Sequence, residues 1–385
     1  CCELVIIQKY KIFYVLSILL LFSISFLLEA NPLHNEQRVV SNSNLNEFID
    51  KYIKEQHNFS GLASYYNQVK FYVISENSSI KAIGDNNFNL TPEMKLAVVG
   101  RFNVLLLQDI NSVVGIKDSR IVFEDVKESH ITIDVFSKDL LDKQEFKLSD
   151  LKYIHLFYPL ASLSRFFEKS LLFFHQYSNQ WFWTIIFFSV FIKFLLIPLN
   201  ILQLKLQNRM NLIDQKLLPE LTAIKRSFDG EEAHQKIMAA YKKHGISPFY
   251  NLKVLFISLL QVPILISIFN TLGEMPQISN NSFLWIQDWA YPDSIYTYSF
   301  KIPLLGCDLN VLPILMTLIS VSISYLSINQ SSSSLQQNNK LNLYVLSTAF
   351  FILFYPFPAI MVWFWIVMNI LHLIFQIISN NVKNS

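Results

Sequence analysis

Short alternating apolar runs dominate the first 155 positions of the chain, and long unbroken ones dominate the rest. A helix needs about 20 apolar residues to cross about 30 Å of hydrocarbon. Trp181–Leu204 offers 24 residues with one charge, and Val254–Leu272 and Leu309–Ile328 carry no charge at all. Leu341–Ile378 is nearly continuous over 38 residues. As one helix it would be about 57 Å long, too long to span once. Pro356 and Pro358 fall in its middle, where proline breaks helices. The pattern therefore predicts two spans there, 341–355 and 360–378. Ile12–Leu28 is a further 17-residue apolar run behind Lys9 and Lys11. It ends Leu27-Leu28-Glu29-Ala30, a poor cleavage site for a signal peptide. An uncleaved anchor over 1–30 is favoured.

Between these runs lie three segments of other character. Residues 31–156 hold β-like runs at Val69–Ser75, Lys95–Leu107, Arg120–Val126 and His130–Phe136, with polar breaks such as Asp85-Asn86-Asn87. They predict a small antiparallel β domain. Residues 157–176 read as an amphipathic helix at the membrane surface, with Arg165, Glu168 and Lys169 as its polar points. In 205–250, Leu206, Met210, Ile213, Leu217, Leu221 and Ile224 recur at helical spacing. A turn at 227–230 follows, then a second helix over 231–244 with Gly245 as its C-cap. The prediction is a two-helix hairpin; an inert solvated loop is the alternative.

Charge sets the topology. Residues 1–170 hold 18 of the 31 Lys/Arg and 20 of the 29 Asp/Glu. The second half is thus membrane-like. Loop 205–253 carries nine Lys/Arg and loop 273–308 carries only Lys301. Positive residues stay in the cytoplasm. The hairpin and both termini are therefore expected inside, and 31–156 outside. A net charge of +2 offers no basic body for nucleic acid. Three cysteines, Cys1, Cys2 and Cys307, form no metal or disulfide pattern. His57, His130 and His155 are scattered and form no catalytic motif.

Lys193 is the one charged residue within the last five spans, about 17 Å from either end of its helix. An ammonium at the centre of a bilayer costs roughly 2.5–3.5 kcal/mol, so a water-filled cavity is expected around it. A tilted helix that brings Lys193 nearer an interface is the alternative. Ser189, Asn200 and Gln207 share its stripe. Trp365, Asn369, His372 and Gln376 form another on the last span, and Thr317, Ser320, Ser324 and Ser327 a third. Gln261 lies near the cytoplasmic start of its span. Such stripes also serve as plain helix–helix glue.

Several ordered motifs resemble the YidC-type membrane protein insertases, which include the mitochondrial Oxa and chloroplast Alb proteins. They begin with Asn179-Gln180-Trp181-Phe182-Trp183 and Phe191-Ile192-Lys193-Phe194-Leu195-Leu196-Ile197-Pro198-Leu199. Next come Tyr241-Lys242-Lys243-His244-Gly245-Ile246-Ser247-Pro248, Leu259-Leu260-Gln261-Val262-Pro263-Ile264 and Phe283-Leu284-Trp285-Ile286-Gln287-Asp288. Leu312-Pro313-Ile314-Leu315-Met316 and Phe357-Pro358-Ala359 with Trp365-Ile366-Val367-Met368-Asn369 complete the series. Lys193 falls where the family carries its groove cation. Ser324 replaces a polar Gln, and the usual Gly-Gly-Cys between Pro248 and Gln261 is missing.

The resemblance implies a polytopic α-helical membrane protein of the bacterial inner membrane. It has an anchor helix, a small extracytoplasmic β domain, and a five-helix insertase core over 177–380 with a cytoplasmic helical hairpin. The core spans are 181–204, 254–272, 309–328, 341–355 and 360–378. The function implied is insertion of nascent membrane proteins into the bilayer, alone or with the Sec translocon. No enzymatic step, cofactor or metal is involved. Lys193, Ser189, Asn200, Gln261, Ser324, Trp365 and Asn369 would line a hydrated groove. Lys242 and Lys243 would give the hairpin a weak ribosome contact. The outer segment, 40–150, would be dispensable. A transporter with Lys193 in its substrate site is the alternative, but the inverted repeats of such folds are not visible.

Overall fold

Strands buried on both faces shape the β-rich segment. In the computed structural model these are β2 (Lys70–Ile74), β5 (Lys95–Val99), β6 (Asn103–Gln108) and β9 (His130–Ser137). The structure describes residues 36–384 except 42–44, 55–58, 76–78, 84–87, 111, 118–119, 125–129, 144–147, 247–251, 303–304, 330–344 and 346. The expected anchor over 1–30 lies outside the described residues. With β1 (Glu36–Ser41) and β3 (Ile80–Ala82), the four strands make an antiparallel sheet ordered β1-β9-β6-β5-β2-β3. A second sheet joins β4 (Phe88–Leu90), β7 (Ser112–Lys117) and β8 (Arg120–Glu124).

Alternate residues of a strand point to opposite faces. Phe71, Val73, Leu96, Val98, Leu105 and Leu107 face helix α1 (Leu45–Lys54) and the second sheet, through Leu45, Ile49, Val114 and Phe123. Tyr72, Ile74, Ala97, Val99, Val104 and Leu106 pack on Leu141, Leu148 and Leu151. Double burial accounts for unbroken apolar runs in place of strict alternation. The single run at 95–107 is in fact two strands. The chain turns at 100–102, where the Gly100 N–H donates to the Asn103 carbonyl at 3.0 Å. A Cβ on Gly100 would come within 2.5 Å of the Tyr52 hydroxyl, so the turn needs glycine. Arg101 and Phe102 are not turn formers, which hid it in the sequence.

Helix α2 (Tyr158–Ser178) has Pro159 in its first turn and ends on Asn179 in the left-handed region, φ 53°. Its expected polar points are not all exposed. Glu168 is buried and accepts hydrogen bonds from Lys152 at 3.0 Å and from the Tyr153 hydroxyl at 3.3 Å. Arg165 reaches the Ser149 carbonyl and Asp150, each at 3.4 Å. The preceding residues fold back over the helix and cover this face.

Helix α3 (Trp181–Ser227) is continuous over 47 residues, with Pro198 and Pro219 inside. The expected span and the first hairpin helix are one rod, since good helix formers fill positions 201–206. Helix α4 (Gly230–Lys243) follows, and Gly245 sits just past its end at φ 63°. Helix α5 (Leu252–Glu274) leads to an antiparallel hairpin of β10 (Ser294–Ile302) and β11 (Gly306–Asn310). Then come α6 (Leu312–Asn329), helical residues 347–354, a break at 355–358, and α7 (Ala359–Asn384). Among the described residues, one stretch, Trp181–Gln203, is long and apolar enough to cross a membrane. Leu259–Glu274, Leu312–Ile323 and Ala359–Phe375 are shorter apolar stretches. The chain divides into two compact units. One contains Val190–Ser267; the other contains the described residues up to Ser189 together with those from Ile268 onward.

Candidate functional site

Lys193 stands half-buried in the apolar part of α3. Ser189, one turn earlier, is fully buried, and its hydroxyl has no hydrogen-bond partner among the described residues. Two turns beyond Lys193, Asn200 Oδ1 accepts from Gln261 Nε2 at 3.1 Å, and Gln203 Oε1 accepts from the same nitrogen at 3.4 Å. In the unit that holds Lys193, the sequence-predicted Asn200 and Gln261 therefore meet directly. Gln203 joins them, and sequence reasoning had not marked it.

In the other unit, Asn369 Nδ2 donates to the Ser320 hydroxyl at 2.9 Å. The Ser320 and Thr317 hydroxyls each donate to a carbonyl one turn back, at 2.8 Å. This is the helix-to-helix use of such stripes. Trp365 packs among Phe350, Phe354 and Phe269, with ring centroids 5.7, 5.1 and 6.2 Å away. Its ring is thus engaged by aromatic neighbours. Ser324 lies in α6, and its side chain is outside what the structure describes.

The helical hairpin closes on Leu217, Leu221 and Ala240, with Ile224, Ile237 and Tyr241 packed around them. Glu220 accepts from Lys243 at 2.9 Å and from His244 at 2.7 Å. Lys242 and Lys243 are both exposed, and a surface pair of this kind contributes little to stability.

A second polar cluster joins the β-rich segment to the end of α5. Lys138 pairs with Glu274 at 2.7 Å, and both side chains are under a tenth exposed. Burial lowers the His155 pKa, so the neutral ring donates from Nε2 to Glu274 Oε1 at 3.2 Å and to Asn270 Oδ1 at 3.1 Å. Arg101 donates to the carbonyls of Gly273 at 2.6 Å and Ala290 at 2.8 Å. Its guanidinium lies 4.8 Å from the Phe59 ring and 4.4 Å from the Phe102 ring, close enough for cation–π attraction. Burial pulls it down to about 10, which leaves it cationic at neutral pH. Burial also opposes charge on Lys152, but Glu168 and Asp142 hold its pKa above the ordinary value. Tyr66 packs so close to Gly273 that a Cβ there would collide with its ring.

Residues 173–385, more than half of the chain, match the family described as 60Kd inner membrane protein. The chain belongs to that family. Similar proteins include the membrane protein insertase YidC of Leptospira interrogans, 30% identical over 208 residues, 53% of this chain and 31% of that protein. The protein of the same name in Herminiimonas arsenicoxydans is 33% identical over 199 residues, 51% of this chain and 33% of that protein. The Chlamydia caviae one is 28% identical over 59% of this chain and 28% of that protein. The chain thus spans about a third of the length of these relatives. A solved structure, described as active YidC insertase with the first transmembrane domain resolved, has 14% identity and a TM-score of 0.37 over 83% of this chain and 84% of that one. Membership of the inner membrane family therefore rests on the sequence match.

The matched region contains Lys193, Asn200, Gln203 and Gln261 on one side of the division between units, and Trp365 and Asn369 on the other. Arg101, Lys138 and His155 precede it. The one sequence signal of their cluster was Glu274, an acid closing an otherwise uncharged apolar helix end.

Proposed function

We propose that this chain is a membrane protein insertase that helps nascent membrane proteins enter and fold in a bacterial inner membrane. The observation that carries this reading is Lys193. It is the single charged residue in the apolar stretch Trp181–Gln203, inside the region matched to an inner membrane family. No bond is made or broken. An acidic residue of a client costs roughly 2.5–3.5 kcal/mol at the bilayer centre. A fixed ammonium at the same depth offsets part of that cost through opposite charge. Asn200 and Gln203, two to three turns further along α3, provide a polar surface together with Gln261 of α5.

In this reading α3, α5, α6, 341–355 and α7 cross the membrane, and an anchor precedes them. The nine Lys/Arg of 205–253 keep the helical hairpin and both termini in the cytoplasm. The β-rich segment and the β10–β11 hairpin then lie outside. The hairpin receives clients, ribosomes and Sec components, with Lys242 and Lys243 among its exposed cations. Depleting the protein in its host and pulse-labelling newly made membrane proteins tests the reading. Single-span clients should accumulate on the cytoplasmic side, accessible to protease only from there. Normal insertion of all clients after depletion would sink it.

A further inference from the structure

We infer that the exposed aromatic face of the β10–β11 hairpin rests in the headgroup layer of the bilayer and anchors the outer end of α6 there. The inference rests on the reading that α6 crosses the membrane. A pair of strands buries little apolar surface by itself, and this pair has two unlike faces. Thr297 lies opposite Asp308, and the Ser294 and Thr297 hydroxyls donate to the Asp308 carboxylate at 3.2 and 2.7 Å. Tyr296 lies opposite Leu309 and so points to the other face. Tyr298 and Phe300 continue that face, with successive ring centroids 5.3 and 5.4 Å apart. Tyr296 and Phe300 are 60% and 63% exposed. An open apolar patch of this kind marks an interaction surface.

Position selects lipid as the occupant. Asp293, immediately before β10, accepts from the backbone N–H groups of Val311 and Leu312 at 3.0 and 2.7 Å, which holds the start of the strand against the first turn of α6. The other strand is tied to Tyr355, just past helical residues 347–354. The Asn310 side-chain amide donates to the Tyr355 carbonyl at 2.7 Å, and the Tyr355 hydroxyl donates to the Asp308 carbonyl at 2.8 Å. The base of the hairpin is thus fixed where the apolar stretch Leu312–Ile323 begins. That is the level of the membrane–water boundary, where tyrosine and tryptophan collect because an apolar ring carries a polar tip. A second apolar feature hangs from the same carboxylate. Trp285 Nε1 donates to Asp293 at 3.1 Å, and Leu284 and Trp285 form the tip of a turn closed by Phe283 and Ile286. Leu284 is 78% exposed with a left-handed φ of 53°, a conformation unfavourable for leucine. Presenting leucine in this way gains nothing in water and buries apolar surface in lipid.

Depth-dependent quenching tests this in the full chain. In a Cys1→Ser, Cys2→Ser, Cys307→Ser background, single cysteines are introduced as Phe300→Cys, Thr297→Cys, Leu318→Cys and Lys81→Cys, all at exposed positions. Each is labelled with a small fluorophore and reconstituted in phosphatidylethanolamine–phosphatidylglycerol vesicles. Quenching is measured with a lipid that carries a nitroxide near the headgroup, and separately with iodide on both sides of the bilayer. Phe300→Cys should be quenched several-fold more by the lipid than by iodide. Thr297→Cys, on the polar face, and Lys81→Cys, in the β-rich segment, should show the reverse. Leu318→Cys, in α6, is the reference for lipid contact. If Leu318→Cys is quenched by lipid and Phe300→Cys responds as Lys81→Cys does, the inference alone is overturned. If Leu318→Cys itself responds only to iodide, α6 does not cross the membrane, and the topology and the inference fall together. Protection of Phe300→Cys from both quenchers would mean that protein covers the face, a second copy of the chain included, and would also overturn the inference. Should Phe300→Cys not reconstitute, Tyr296→Cys gives the same comparison.

Discussion

Replacing Lys138 by Met isolates what holds the β-rich segment to the end of α5. The substitution preserves most of the side-chain volume and removes the ammonium 2.7 Å from Glu274. With side-chain exposures of 5% and 8%, solvent cannot take over. Removing one partner of a buried ion pair costs about 3–5 kcal/mol. Glu274 keeps the His155 N–H at 3.2 Å, so the lower end applies, about 3 kcal/mol. That corresponds to a fall of about 6–12 °C in unfolding midpoint, readable by tryptophan fluorescence in detergent. Removing both charges, Lys138→Met with Glu274→Leu, should recover most of the loss, because no buried charge remains unpaired. A midpoint for Lys138→Met within a degree or so of wild type would refute the reasoning, as would a double variant that loses the sum of the singles. The same pair changes the expectation that 40–150 is dispensable. Cutting 40–150 removes Lys138 and Arg101 and leaves Glu274 without its buried ammonium partner, so truncated protein should be less stable.

Four further predictions concern Lys193, the helical hairpin, its lysines and His155. Lys193→Arg should retain insertion in a depleted host and Lys193→Ala should lose it for at least some acidic clients; full complementation by Lys193→Glu would end the electrostatic reading. Deleting 211–240 should abolish insertion while the spans remain in the membrane. Reversing Lys242 and Lys243 to Glu should weaken ribosome cosedimentation and reduce its salt dependence, since both are exposed; removing 380–385 should change nothing, and loss of binding there would show that the tail docks. Because burial lowers the His155 pKa below its ordinary 6.5, the unfolded chain binds the extra proton first. The stability it contributes is therefore complete above about pH 6.5 and declines as pH falls below it. Here His155 faces Glu274, Lys138, Lys70 and Asn270. Midpoints measured between about pH 8 and 5.5 should fall in wild type and stay flatter in His155→Gln; identical slopes would contradict this.

What the sequence made legible was local. Apolar run length marked α3, α5, α6 and α7. Helical spacing of Leu217, Leu221 and Ile224 and the glycine at 245 marked the hairpin. Lys193 was conspicuous because nothing else charged shares its stretch. What escaped was set by tertiary contact. Arg101 meets Gly273 across 172 positions and Lys138 meets Glu274 across 136, and no local pattern encodes such pairings. Glu168 read as a surface point of α2 because its partners, Lys152 and Tyr153, lie in a segment without periodicity. Gln203 was passed over because it falls off the Lys193 stripe, yet it meets Gln261 from the neighbouring turn of α3.

Reconstitution tests the central claim most directly. The purified chain is placed in phosphatidylethanolamine–phosphatidylglycerol vesicles, and a single-span client with an acidic translocated segment is synthesised in their presence. The account predicts a protease-protected client fragment that is absent with empty vesicles and strongly reduced with Lys193→Glu. Protection equal to that of empty vesicles, with the chain correctly inserted, would contradict it.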